Sequence, residues 1–159
     1  MKEPRRIMGI DHGEARIGVA LSDELGLFAQ PYTIIPHRTY KADLSALQAI
    51  IAEHHIVKVV VGLPTDSDGH IGSQAKAVLR WAKKLAQSIG CPVALWDESY
   101  SSAEAAAMMA DRAFKRRKRK GQPAHLDDLA AAIMLQEYLD AGGAVDEPGQ
   151  PLENLTDNR

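Results

Sequence analysis

Between Leu44 and Trp96 the hydrophobic pattern changes period three times, and this alternation restricts the fold more than any other feature of the chain. Leu44, Leu47, Ile50 and Ile51 recur at helical spacing. Val57 to Leu63 is a short β-branched run halted by Pro64, the pattern of a parallel strand buried on both faces. Ala75, Val78, Leu79, Ala82, Leu85, Ala86 and Ile89 return to a helical stripe, with Gly90 suited to cap it. Pro92 to Trp96 is again a short strand and ends at Asp97-Glu98. Helix, strand, helix and strand in this order predict βαβ connections, with helices covering the faces of a sheet.

The flanking segments extend that sheet. Ile7 to Ile10 is a short apolar run ending at Asp11, and Arg16 to Leu21 follows after the polar turn His12-Gly13-Glu14. Two such runs joined by a Gly-containing turn make a hairpin. Tyr32 to Ile35 lies between Pro31 and Pro36, which assign it to a sheet edge. Ser101 and Glu104 have capping-box spacing, so a helix is expected to start there and run through Met108 and Met109 toward a basic segment. A last helix is expected from about Asp127 to Leu139, with Leu129, Ile133 and Gln136 on one face and Gly142-Gly143 ending it. Residues 1–142 are thus predicted to form one α/β domain. Its mixed five-stranded sheet, a three-stranded antiparallel region plus βαβ units, is flanked by helices. Residues 143–159 are polar, carry Pro148 and Pro151, and are expected to be a flexible tail.

Composition narrows the function. Cys91 is the single cysteine, which excludes an intrachain disulfide and a Cys-based zinc site. No apolar run approaches the roughly 18 residues of a membrane span, so a cytoplasmic protein with no membrane partner is expected. Lys115-Arg116-Arg117-Lys118-Arg119-Lys120 holds six of the 19 basic residues, leaving 13 against 21 acidic residues elsewhere, a balance of −8. A mildly acidic body with one concentrated basic segment points to a local anion contact.

Three acids stand at suggestive places. Asp11 ends the first strand, Glu98 ends the last parallel strand and Asp127 opens the last helix. Converging carboxylates repel and raise one another's pKa. A divalent cation resolves the conflict, and hard oxygen donors suit Mg²⁺ or Mn²⁺. Two such ions about 4 Å apart activate water and stabilise the leaving oxygen of a phosphodiester. Plainer readings exist for each acid. Asp before Gly favours turns, Asp127 and Asp128 answer a helix dipole, and Glu98 is equally suited to a solvated strand end.

Gly9-Ile10-Asp11-His12-Gly13, Val61-Gly62-Leu63-Pro64, Asp97-Glu98 and Asp127 with Ala130-Ala131 are four segments that, in this order, resemble the YqgF family, also called RuvX or Holliday-junction-resolvase-like proteins and described as pre-16S rRNA nucleases. Gly9-Ile10-Asp11-His12-Gly13 with Arg16-Ile17-Gly18-Val19-Ala20 resembles the opening motif. Val61-Gly62-Leu63-Pro64 with Asp68-Gly69 is similar to the central one. Asp97-Glu98 before Ser101-Ser102-Ala103-Glu104-Ala105, and Asp127 with Ala130-Ala131 and Leu135-Gln136, resemble the third and fourth. The resemblance spans about Ile7 to Leu139. It implies an RNase H-like fold and a metal-dependent nuclease whose acids are Asp11, Glu98 and Asp127, with Mg²⁺ or Mn²⁺ as cofactor. Ala15 and Ser99 depart from the family pattern, which has Lys and Arg there, and both departures remove a cation beside the expected site.

The expected function is processing of the 5′ end of precursor 16S rRNA during ribosome biogenesis. Arg16 and the Lys115, Arg116, Arg117, Lys118, Arg119 and Lys120 run would hold phosphates. Ribosomal proteins are further partners to consider, and the chain is expected to be a monomer or a homodimer. The same site suits a DNA four-way junction, which would favour a two-fold dimer. A non-catalytic RNA-binding factor is a second class, and the Asp11-His12-Gly13 turn also resembles the first phosphate loop of actin-like ATPases. His12, His70 and His125 lie near the site loops and are either proton carriers or plain polar residues. Trp81 and Trp96 are expected in the core.

Overall fold

The computed structural model describes residues 5–64, 72–97, 111, 115, 119, 129–142 and 150–151. The chain begins with β1 (Arg6–His12), β2 (Arg16–Ser22) and β3 (Ala29–Pro36), joined as an antiparallel meander. Helix α1 (Tyr40–His54) leads to β4 (Ile56–Leu63), and α2 (Ser73–Ser88) leads to β5 (Val93–Asp97). Strand β4 is parallel to both β1 and β5. Helix α3 (Leu129–Asp140) follows, and a two-residue strand, β6 (Gln150–Pro151), pairs antiparallel with β5. The sheet order is β3-β2-β1-β4-β5-β6.

All five expected strands are present in the expected mixed arrangement. The sixth was not expected, because Gln150 and Pro151 belong to the segment read as tail. Here they pair with Leu95 and Ala94. Strand β3 is the opposite edge, and the prolines that assigned it there lie opposite Ala20 and Arg16 of β2. Ala29 N–H is also withheld from further pairing, because it donates to Gln136 Oε1 at 2.8 Å. Edge strands so blunted resist pairing with another chain.

Two apolar layers enclose the sheet, and strand alternation sorts residues between them. On one face Met8, Ile10, Ile17, Val19, Val59, Val61 and Leu95 pack with Leu47 of α1 and Trp81 and Leu85 of α2. On the other, Ile7, Ala20, Val60 and Trp96 pack with Ala131, Met134, Leu135 and Tyr138 of α3. Both tryptophans are core residues, as expected. The α3 face differs from the sequence reading. Leu129 is buried, but Ile133 and Gln136 are only partly covered, and the sheet takes the Ala131, Met134, Leu135 and Tyr138 side instead. That correction has a local cause: Gln136 spends its amide on Ala29 N–H, Leu27 O and Asp140 at the edge of the sheet.

Helix ends follow the chemistry of the chain. Thr39 caps α1 by accepting the Ala42 N–H at 3.1 Å. His55 closes it in the left-handed region, φ 55°, its N–H bonding to Ile51 O. Gly90, φ 86°, follows the last residues of α2, where a cap was expected. The helix expected from Ser101 lies outside the described residues, apart from Asp111, Lys115 and Arg119, which are helical. No helix among the described residues is long and apolar enough to cross a membrane.

Candidate active site

Asp11 is the penultimate residue of β1, paired with Gly18 of β2 and partly exposed at the carboxyl rim of the central strands. Alternation gives it the same side of the sheet as Gly9, the side covered by α3. That side is closely packed. A Cβ placed on Gly9 would lie 2.8 Å from Leu135 Cβ and 3.3 Å from Ala131 O, so only glycine lets α3 approach β1 here.

The direction of α3 follows from its contacts. Gln136 reaches Ala29 at the start of β3. Ala29 pairs with Ser22, whose Oγ accepts the Ile7 N–H at the start of β1. Tyr138 lies under Lys58, which pairs with Ile7. The later turns of α3 therefore flank the beginning of β1, and its first turn points toward the Asp11 end. Arg16 starts β2 at that same end, exposed and on the same side as Gly18 and Asp11.

His12 faces the other way. Its ring lies between the rings of His37 and Trp81, with centroids 4.6 and 4.5 Å away. Burial pushes the His12 imidazole below its ordinary value, and the His37 charge adds to that, against a smaller opposing pull from Asp43. His12 Nε2 is buried and has no hydrogen-bond partner among the described residues. His37 Nδ1 lies 2.5 Å from Oδ2 of Asp43, a fully buried carboxylate. This pair was missed in the sequence. Its signal was Asp43 standing four residues before Leu47, on the stripe that α1 buries.

Of the three acids singled out in the sequence, Asp11 is described, while Glu98 and Asp127 lie outside the described residues. Asp97 ends β5 opposite Leu63 and on the His12 side of the sheet. Among the described residues no group of three or more His, Cys, Asp or Glu side chains is arranged to hold a metal. In the basic run, Lys115 and Arg119 are helical and exposed, with Lys115 Nζ 3.1 Å from Asp111 Oδ2. Such an exposed pair contributes little to stability. Arg116, Arg117, Lys118 and Lys120 lie outside the described residues, as do His70 and His125.

The fold and this rim define an α/β protein of the RNase H-like class. Thermus thermophilus RuvC in complex with a Holliday junction substrate superposes with a TM-score of 0.54 at 18% identity, covering 92% of this chain and 99% of that one. Fowlpox virus resolvase, solved with Holliday junction DNA, gives 0.55 at 11% identity, covering 86% and 97%. Identities this low speak for the fold alone. The sequence goes further. The family model described as "RuvX: Holliday junction resolvase" matches residues 5–141, and the chain belongs to that family. Relatives named "Putative pre-16S rRNA nuclease" are 43% identical in Myxococcus xanthus (86% of this chain, 88% of that protein) and 40% in Syntrophus aciditrophicus (86% and 89%).

Proposed function

We propose that the chain is a divalent-cation-dependent nuclease that processes the 5′ end of precursor 16S rRNA, with Asp11, Glu98 and Asp127 as its carboxylates. The observation that carries this reading is that Asp11, Arg16 and the first turn of α3 share one side of the sheet at one rim. Two placements support the remaining acids. Asp97, the last residue of β5, lies on the side of the sheet away from α3, so the reading takes the next acid, Glu98, which the family motif assigns. Asp127 stands two residues before α3, whose Ala131 backs onto Gly9, and it is the acid to which the family motif assigns this role.

The donor set fits Mg²⁺ or Mn²⁺, since all three groups are hard carboxylates and Asp11 is partly open to solvent. When bound, the cation supplies charge neutralisation and Lewis acidity toward a phosphodiester. The chain itself contributes orientation: α3 held against Gly9 fixes the helix that Asp127 precedes. Arg16 offers a guanidinium to phosphate on the Asp11 side. The Lys115–Lys120 run adds cations for a polyanionic strand.

The test is cleavage of a 5′-extended 16S rRNA precursor with Mg²⁺ or Mn²⁺. Asp11→Asn and Asp127→Asn are expected to stop cutting while folding and RNA binding persist. Asp97→Asn, on the opposite side of the sheet, is expected to keep cutting. If the wild type binds the precursor and never cuts it, the chain is an RNA-binding factor, in line with Ala15 and Ser99. A four-way DNA junction should be assayed in parallel, because the family description and the solved neighbours involve Holliday junctions. Cutting of the junction alone would make the chain a DNA resolvase.

A further inference from the structure

The nuclease reading leaves one buried charge unused. Asp43 is fully buried in the first turn of α1, where an ordinary helix acid would be solvated. Removing a carboxylate from water is costly unless it is paired. Oδ2 accepts from His37 Nδ1 at 2.5 Å, and Oδ1 lies 3.4 Å from the Arg38 N–H. A carboxylate can only accept, so the bond orients the His37 ring with an Nδ1–H toward Asp43.

That ring does not end the chain of contacts. It meets His12 edge-on, and Trp81 of α2 closes on His12 from another side. His37 also donates its backbone N–H to Ala15 O at 3.0 Å, tying the β3–α1 corner to the turn between β1 and β2. Within that turn Gly13 N–H donates to Arg16 O at 2.8 Å. The segment that begins one residue after Asp11 is therefore held at its ring and at its backbone, from the side of the sheet opposite Asp11. Adjacent residues of a strand point to opposite faces, so holding the His12 ring and the turn behind it fixes the stretch of backbone from which the Asp11 side chain projects.

We infer that Asp43 and His37 are positioning residues for Asp11, acting through the clamped His12 ring and the hairpin turn. The inference rests on the reading of Asp11 as a cation ligand. Active-site ligands must be held to within about 0.5 Å, and a locked supporting layer supplies that precision. Removing an outer partner of a metal ligand typically weakens metal affinity or activity by about 10–100-fold.

The test is calorimetric titration of the full-length protein with Mn²⁺, alongside cleavage kinetics. Asp43→Asn and His37→Ala are each expected to weaken Mn²⁺ binding about 10-fold or more. They are expected to lower kcat and leave KM for RNA in place. His37→Ala also guards against poor folding of Asp43→Asn, because the His37 side chain is partly exposed. Leu47→Ala, a core change one turn further along α1, is the destabilised control and should lower Tm without altering Mn²⁺ affinity. Wild-type Mn²⁺ affinity in both rim variants, with binding lost in Asp11→Asn, overturns the positioning role alone. Equal weakening by Leu47→Ala overturns it as well, since general loosening would then suffice. If Asp11→Asn binds Mn²⁺ as the wild type does, the carboxylate site itself fails.

Discussion

The two sides of the sheet at its carboxyl rim solve opposite problems. On the α3 side, Asp11 and Arg16 sit beside a helix drawn against Gly9 with no side chain between. On the α1–α2 side, His12, His37, Asp43 and Trp81 fill the same rim with rings and one short histidine–carboxylate hydrogen bond. One side leaves a carboxylate partly open at the surface, and the other is packed. Neighbouring residues of one strand, Asp11 and His12, belong to these two environments. A site of this kind needs both, because a rigid layer behind an open charged group steadies the backbone that carries it.

The largest effect should come from breaking the open side. Asp11→Asn removes a proposed ligand rather than its support. The loss of cleavage should exceed the about 10–100-fold expected for an outer partner. Single-turnover cleavage of the rRNA precursor measures it. A loss no greater than that of Asp43→Asn would erase the distinction between the two sides.

Next comes the contact that defines the α3 side. Gly9→Ala adds a Cβ where Leu135 Cβ would be 2.8 Å away. Overpacking of this kind costs about 1–3 kcal/mol. The neighbours at fault are a Cβ and a backbone carbonyl, so relief requires α3 to move away from β1. Urea unfolding should show the destabilisation, and cleavage should fall further than in Leu47→Ala at matched stability. If Gly9→Ala loses stability and keeps full cleavage, the distance of α3 from β1 does not matter to the site.

These two contacts were not equally legible in the sequence. The strands, the mixed order and the edge position of β3 follow from local periodicity and proline chemistry, which act over a few residues. Asp11 was legible because it closes the apolar run of β1 just before a Gly turn. Gly9 was visible only as a motif residue, since the reason for it lies in Leu135 and Ala131, far along the chain. The His37–Asp43 pair was hidden for a related reason. Nothing local to His37 shows that its partner will be buried, and Asp43 reads as a plain first-turn acid unless its register with Leu47 is noticed. The buried side of α3 was misread because Leu129 to Leu135 contains no polar residue, so periodicity picks out no single stripe there.

Substrate charge offers a finer comparison. Arg16 begins β2 on the Asp11 side, whereas Arg38 is exposed at the β3–α1 corner on the other. Each phosphate contact to a single strand contributes about 0.7 to the slope of log affinity against log salt. Arg16→Ala should lower the slope for precursor RNA by about that amount, and Arg38→Ala should leave it unchanged. Lys115→Ala with Arg119→Ala tests the basic run in the same way. Equal slopes for Arg16→Ala and Arg38→Ala would mean that RNA does not distinguish the two sides.

The smallest effect belongs to the packed side and concerns pH. The His12 imidazole is held below its ordinary 6.5, chiefly by burial and then by the His37 charge, with Asp43 opposing. Folding therefore favours the neutral ring, and the unfolded chain takes up the proton first. The stability contributed by neutral His12 is fully present above pH 6.5 and is lost as pH falls through 6.5 toward the lower folded value. His12→Phe keeps an aromatic ring between His37 and Trp81 and cannot take up that proton. Melting curves from neutral to mildly acidic pH should show the wild type losing Tm faster than the variant, with the two falling in parallel at higher pH. A variant that loses as much as the wild type on acidification would show that the ring between His37 and Trp81 carries its proton at no cost to the fold. The packed side would then be no drier than the open one, and the contrast between the two sides would rest on shape alone.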